Sequence, residues 1–368
     1  MLLSLIFSKL KTFFYCDYKL KQKSNYKTSE VTTKNEKSLV DYFYEMKLLF
    51  EKKNNIEDSF ILVNRNSFEE CLLFSLLYVN CSDVMFRELA RNVKESIKKN
   101  NFEQIRSLLY QAVFMKNVPN VMSGGYDHSG RFFEAMGYIS CLGFDSIYRC
   151  FPKDIPLCTN GYPINVINSN LLLCILYNNG KNKVYDESSV VAKAEKRLLQ
   201  KSDKALCGVT MCLLGILKHD VVMFNEGLPQ LLYNYNRLTL LNACEKTLCQ
   251  LAISLVVIAR KFLTEDEFDC IVFPEAHNFS WNYCKYMFSK PLFEPKIFYK
   301  YPGVLAPLNE LMLTTIPKTK LTRIQARRIL YEGLDENEFD IILDEEQMFY
   351  NFIIDYKEQK QKEYFSKT

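Results

Sequence analysis

Between Ser123 and Arg131 the chain reads SGGYDHSGR, gathering three glycines, a carboxylate, an imidazole and a guanidinium beside an expected helix start. That mixture has a definite chemistry. A glycine-lined approach to a helix N-terminus lets backbone amides meet an anion, and Tyr126, Asp127, His128 and Arg131 would supply further donors and a proton carrier. Neither the phosphate-loop spacing GxxxxGK[ST] nor the dinucleotide spacing GxGxxG occurs, and Gly, Asp and Ser also build ordinary turns. Tyr126, Asp127, His128 and Arg131 therefore stand as a candidate binding loop, with an enzyme site for a small molecule at the same place as an alternative.

A second constellation is acidic: Asp335, Glu336, Glu338 and Asp340, followed by Asp344, Glu345 and Glu346, could meet a basic partner. Asp344 and its neighbours would equally complement the start of a following helix. Catalytic pairings are sparse. His219 beside Asp220 has acid–base chemistry, yet the pair occupies an expected helix–helix joint where Asp220 is a natural N-cap. Cys207 is a nucleophile only if ionised, and its apolar helix disfavours the thiolate. Trp281, the sole tryptophan, sits in FSWNYCKYMF and reads as a packing residue. The three histidines are too dispersed for a metal motif, so no metal or other cofactor is expected.

The elements that must position these residues are helices. Capping boxes, in which a short polar side chain and a Glu or Gln three residues later satisfy each other's amides, fit at Ser67/Glu70, Asn101/Gln104, Thr264/Glu267, Thr322/Gln325 and Asp344/Gln347. With the apolar periodicity they place helices near 67–80, 83–99, 101–116, 131–142, 163–179, 187–200, 203–218, 220–235, 244–262, 265–272, 322–332 and 345–362. Pro229 is positioned to kink or split one of them. The run from Leu248 to Ala259, interrupted only by Gln250 and Ser254, marks a buried central helix, too short for the roughly 20 apolar residues of a membrane span. No strand of any length competes.

ESIKKNNFEQIRSLLYQ and LGILKHDVVMFNEGLPQLLYN look alike, each running an apolar helix through Lys and a polar joint into a helix with paired leucines and a Tyr. The expected fold is all-α, an irregular stack of antiparallel helical hairpins of tetratricopeptide-like type, without that repeat's roughly 34-residue consensus. Residues 1–37 read as an amphipathic segment (Leu3, Ile6, Phe7, Leu10 and Phe14 at helical spacing) and a polar linker. Residues 38–300 read as the helical body, and 301–368, past a Pro-rich stretch, as a C-terminal helical segment. Loops are expected at 118–130, 151–163 and 273–307. The N-terminal segment lacks the charge order and cleavage site of a secretory signal, so it is expected to dock on the body, with a membrane surface as the other reading.

With 368 residues, 48% hydrophobic and 14% aromatic, the chain can bury one large or two modest cores. Forty-seven basic against 43 acidic residues leave a net charge of +4, too weak a basic bias for a dedicated nucleic-acid protein. Thirteen cysteines, no CxxC and a preference for apolar runs point to reduced core thiols and a cytoplasmic protein.

From GFDSIYRCFPKDIPLCTNGYPIN through LLGILKHDVVMFNEGLPQLLYNYNRL to LCQLAISLVVIARKFL, the chain resembles the polymorphic-toxin immunity family numbered forty-nine, over about residues 60–290. The likeness rests on feature order: a helix ending in Lys218, His219 and Asp220, a second helix carrying Phe224 and Leu228, a strongly apolar helix, and then Phe273 and Pro274. The resemblance implies a bacterial, helical, non-catalytic inhibitor that binds a cognate toxin. The N-terminal segment and the tail after Pro307 depart from it and leave a helical adaptor or effector scaffold open.

Overall fold

Several helices in this chain start where a short polar side chain takes up a free amide, and two end where one residue turns left-handed. The computed structural model describes residues 82–117, 128–159, 161–178, 183–200, 203–238, 241–300, 309, 312–314, 316–325, 339–343, 347–348, 351–352 and 354–355. The chain divides into two compact units, Met1–Val84 with Pro302–Leu305, and Met85–Tyr301 with Ala306–Thr368. The described residues belong almost wholly to the second.

Twelve α-helices follow one another among the described residues: α1 Ser82–Lys98, α2 Phe102–Asn117, α3 His128–Leu142, α4 Ile147–Cys150, α5 Pro163–Tyr177, α6 Glu187–Leu198, α7 Lys204–Lys218, α8 Val221–Asn234, α9 Ala243–Thr247, α10 Gln250–Phe262, α11 Glu265–Asp269 and α12 Trp281–Ser289. The all-α class expected from the sequence is therefore present. Pro163 opens α5 at the first helical position, where its missing amide costs nothing. Asp186 caps α6 by accepting from Ser189 N, and Thr264 with Glu267 forms a complete capping box on α11.

The two look-alike segments fold into the same corner. Asn100 and His219 both adopt the left-handed conformation, with φ of 51° and 55°. Asn101 N–H then reaches back to Ser96 O at 2.9 Å, and Asp220 N–H to Gly215 O at 2.8 Å, which closes each preceding helix with a six-to-one Schellman bond. The next residue caps the following helix: Asn101 Oδ1 accepts from Gln104 N at 3.2 Å and Asp220 Oδ1 from Met223 N at 3.0 Å. Beyond the corner the two pairs differ: α7 and α8 pack closely along each other, and α1 and α2 do not. A Cβ on Gly208 would lie 2.5 Å from Leu231 N and 2.7 Å from Gly227 O, so the α7 and α8 backbones meet where only glycine fits.

The core is built from α3, α5, α7 and α10. Helix α10 packs mainly on α3 and also on α7, α8 and α12, and every residue from Gln250 to Ala259 is buried. The central helix read from the sequence is in place, but it is not one helix over 244–262. Leu248 and Cys249 are extended, Cys249 N–H donates to Asn278 O at 2.7 Å, and the Cys249 sulfur caps α10 by accepting from Ala252 N. Neither Gly nor Pro marks that break, so apolar periodicity ran through it. Pro229 lies inside α8 without splitting it.

The helix expected over 322–332 is corrected. Leu321–Gln325 is strand β1, paired antiparallel with β2, Phe339–Leu343, in a two-stranded ribbon with Leu321 opposite Leu343 and Gln325 opposite Phe339. Thr322 and Gln325 have the spacing of a capping box, yet the β-branched Thr322 and Ile324 find the β-rich FDIIL as a partner, and pairing wins over a local cap. The hairpin is the one sheet among the described residues.

A polar stripe on α2 binds the backbone of an extended segment that follows α12. Glu103, Arg106, Ser107, Tyr110 and Gln111 share one helix face. Lys296 Nζ pairs with Glu103 Oε1 at 2.6 Å, and Gln111 Nε2 donates to Tyr299 O at 2.7 Å while its Oε1 accepts from Phe298 N and Tyr299 N. Tyr110 Oη donates to Met312 O at 2.9 Å, which ties residues beyond the Pro-rich stretch back to the body.

The buried Arg106 donates to four carbonyls: Cys141 O and Lys290 O at 2.5 Å, Leu142 O and Pro291 O at 3.2 Å, with Phe293 stacked on the guanidinium at 4.5 Å. Cys141 and Leu142 end α3, and Lys290 and Pro291 follow α12. The negative ends of two helix dipoles thus take the place of a carboxylate. Burial pulls the Arg106 pKa down, although a guanidinium stays charged. Arg106→Met should lower unfolding free energy by about 3 kcal/mol or more, because several carbonyls lose their donors at once. Arg106→Lys should recover only part, since an ammonium lacks the planar fork. Urea midpoints check both, and an unshifted midpoint in Arg106→Met would contradict the assignment.

Candidate functional site

Of the candidate binding loop, Tyr126 and Asp127 lie outside the described residues, and His128 is described only by its backbone at the start of α3. Arg131 is one turn into α3 and fully buried. Its guanidinium pairs with Glu134, whose side chain is likewise inaccessible, and donates to Thr319 Oγ1 through Nε at 3.1 Å and Nη2 at 2.5 Å. Thr319 in turn donates from Oγ1 to Cys150 O and from its amide to Arg149 O, both at 2.7 Å. A buried ion pair needs such hydrogen bonds to offset its desolvation. Arg131 therefore clamps α3 to the segment before β1 and is withdrawn from the surface of the loop.

In the acidic run, Asp335, Glu336 and Glu338 lie outside the described residues, and Asp340 sits in β2 opposite Ile324. The N-terminal amphipathic segment and linker, residues 1–37, also lie outside them. His219 and Asp220 are brought to the α7–α8 corner but not to each other. Asp220 caps α8, and His219 Nδ1 meets Glu267 Oε2 at 2.9 Å. That imidazole, followed by the Thr264 amide, holds the Glu267 carboxyl below the usual carboxylate range. Among the described residues no group of three or more His, Cys, Asp or Glu side chains could hold a metal ion.

One edge of the helix stack instead carries a row of aromatic rings. Phe262 at the end of α10 meets Phe144 edge-on at 5.5 Å. Phe144, in a 3-10 turn at Phe144–Ser146, meets Tyr148 of α4 edge-on at 5.7 Å. Tyr148 lies 6.4 Å from Tyr177 at the end of α5, and Tyr177 lies 6.3 Å from Tyr185, just before α6. None of these side chains is buried, and Tyr148 is 42% exposed.

Local chemistry fixes the row. Gly143, with φ of 99°, turns the chain out of α3 into Phe144 in a conformation that favours glycine. Tyr177 Oη donates to Phe151 O, and Tyr185 Oη donates to Ile155 O at 2.7 Å, so the 151–155 loop anchors both rings. Asn178 holds Tyr185 from the other side: its Oδ1 accepts from Val184 N and Tyr185 N at 2.9 and 3.0 Å, and its Nδ2 donates to Tyr185 O at 3.1 Å. Burial, then Cys174 and Asp154, pushes the Tyr185 phenol up to about 12. Such rings offer large contact area at little entropic cost, because their orientation is already set.

A second aromatic cluster adjoins this row through the last turn of α10. Trp281 stacks on Phe273 at 3.8 Å, and Phe268 and Phe288 close around them. Trp281 therefore packs, as the sequence suggested. Cations of the chain cover these rings: Arg260 lies over Phe268 at 5.1 Å, Lys285 over Trp281 at 5.4 Å and Lys261 over Phe144 at 5.7 Å. Sequence reasoning missed the row because its rings come from separate elements between Phe144 and Phe262. The available signal was a set of aromatics placed at polar helix ends, where a core ring has no reason to be.

Comparison with protein-family models, with curated proteins and with solved structures finds no match for the chain.

Nine of the ten described cysteines are buried, and Cys270 alone among them is exposed. Burial raises the Cys207 pKa, which suppresses its thiolate, and pushes Cys141 and Cys150 up to about 12. Native alkylation followed by peptide mass spectrometry should therefore label Cys270 before the other described cysteines, and Cys141, Cys150 and Cys207 only after denaturation. Early labelling of Cys207 would show that its site is an activated one.

Proposed function

We propose that the chain is a binding protein whose partner is another protein, contacted through the aromatic edge formed by Phe262, Phe144, Tyr148, Tyr177 and Tyr185. The observation that carries this reading is the row itself: partly exposed rings in mutual contact, two of them, Tyr177 and Tyr185, anchored by hydrogen bonds to the 151–155 loop. Interfaces are enriched in aromatic anchors of this kind, and rigid ones add affinity because little freedom is lost on binding. The ring geometry favours a protein over a nucleic acid. Phe144 meets both of its neighbours edge-on, at 70° and 88°, which does not present the parallel faces that stacked bases require.

The resemblance in the sequence supports a sharper form, in which the partner is a cognate toxin and the protein is a bacterial, cytoplasmic immunity protein acting by stoichiometric capture. No helix among the described residues is long and apolar enough to cross a membrane. A helical adaptor would use the same edge on a different partner.

The test is co-expression with the product of the adjoining gene, scored by growth. The wild-type chain should restore growth, and Tyr148→Ala with Tyr185→Ala should abolish protection while weakening affinity by about 2 kcal/mol or more, as for central aromatic anchors. Full protection by the double variant would remove the aromatic edge from the interface.

A further inference from the structure

The aromatic residues at this edge divide by what lies next to them. Phe144, Phe268 and Trp281 each have a cation of the chain over the ring, from Lys261, Arg260 and Lys285. No cation of the described residues lies over Tyr148, Tyr177 or Tyr185. Carboxylates neighbour these three rings instead. Asp145 lies in the 3-10 turn that sets Phe144 against Tyr148, and Asp154 stands between Lys153 and Ile155, whose carbonyls accept from Tyr185 Oη at 3.3 and 2.7 Å. In keeping with this, after burial Asp145 raises the Tyr148 pKa, and Asp154 adds to the rise at Tyr177 and Tyr185. Asp145 and Asp154 are both exposed, and neither forms an ion pair with a described lysine or arginine. The nearby cations are differently placed. Arg149 donates its Nε to Ile316 O at 2.7 Å, Lys183 pairs with Glu187 at 3.0 Å, Lys261 lies over Phe144, and Lys153 is exposed on the loop.

We infer that Tyr148, Tyr177 and Tyr185, between Asp145 and Asp154, form a docking surface for an arginine- or lysine-bearing segment of the partner protein. This rests on the reading of the edge as a protein interface and adds the chemistry of what it receives. A ring face attracts a cation through its quadrupole, and a carboxylate beside the ring adds a charge partner for the same side chain. Arginine fits best, because its planar group stacks on a phenol while donating sideways to a carboxylate.

The test uses the full chain and three fluorescein-labelled probes: an eight-residue alternating Gly-Arg peptide and its Gly-Lys and Gly-Glu counterparts, read by anisotropy. The Arg peptide should bind on the order of tenfold more tightly than the Glu peptide and more tightly than the Lys peptide, with affinity falling as salt rises. Tyr148→Leu, and separately Asp145→Asn with Asp154→Asn, should each weaken it about fivefold or more. Tyr233→Leu, at an exposed tyrosine on α8, should change nothing. The aspartates are exposed, so their double variant carries the test even if Tyr148→Leu fails to fold.

Equal binding of the Arg and Glu peptides, or Arg binding indifferent to both sets of substitutions, overturns the inference. Applied to the protective partner, the same variants separate the two claims. A partner that needs Tyr148 but tolerates loss of both aspartates leaves the protein interface standing and removes the cationic segment. An Arg peptide that binds as expected, beside a partner indifferent to Tyr148→Leu, keeps the cation surface and removes this edge from the partner's interface.

Discussion

Arg106 is a buried cation whose counter-charge is the carbonyl ends of two helices, and much of the described structure is arranged around that fact. By gripping Cys141 and Leu142 it fixes where α3 stops, and by gripping Lys290 and Pro291 it fixes how the chain leaves α12. The residue after Leu142 is Gly143, which turns the chain into Phe144 and so into the aromatic row. The residues after Pro291 are the extended segment laid along α2. One guanidinium thus sets both the root of the exposed edge and the strap on the other helix. A buried charge left without such donors and acceptors would be strongly destabilising.

The rest of the scaffold keeps that edge rigid by close approach. Gly208 and Gly227 let α7 and α8 touch backbone to backbone, and the two corner residues Asn100 and His219 end their helices with the same pair of bonds. Helix α10 runs through the middle, buried from Gln250 to Ala259, and emerges at its last turn as Arg260, Lys261 and Phe262. Those three residues enter both aromatic clusters. The same helix that organises the core therefore delivers part of the surface, and side chains at the edge inherit the order of the interior.

What the sequence made legible was whatever is local. Asn101 with Gln104 and Thr264 with Glu267 each signal a cap through a three-residue spacing, and both caps are present. The paired segments around Lys98 and Lys218 fold alike because a corner needs only a few residues to specify it. Long-range chemistry was not legible. Arg106 looks like any helical arginine until α3 and α12 bring four carbonyls to it, and Arg131 in its glycine-rich loop looks like a ligand-binding residue until Glu134 and Thr319 close over it. Thr322 and Gln325 carried a local helix signal that pairing with Phe339–Leu343 overrode. The aromatic row draws on helix ends far apart in the chain, and no window of sequence contains it.

A helical body carries an edge where Tyr177 and Tyr185 are anchored beside Tyr148 and set among carboxylates, and we propose that a partner protein docks there. The most direct test of that docking is amide hydrogen exchange of the chain alone and bound to the product of the adjoining gene. Protection on binding should concentrate in residues 144–155 and 177–186, where the row and its anchoring loop lie, with the outer face of α8 unchanged. Protection confined to α8, with exchange at 144–155 and 177–186 unaltered by the bound partner, would contradict it.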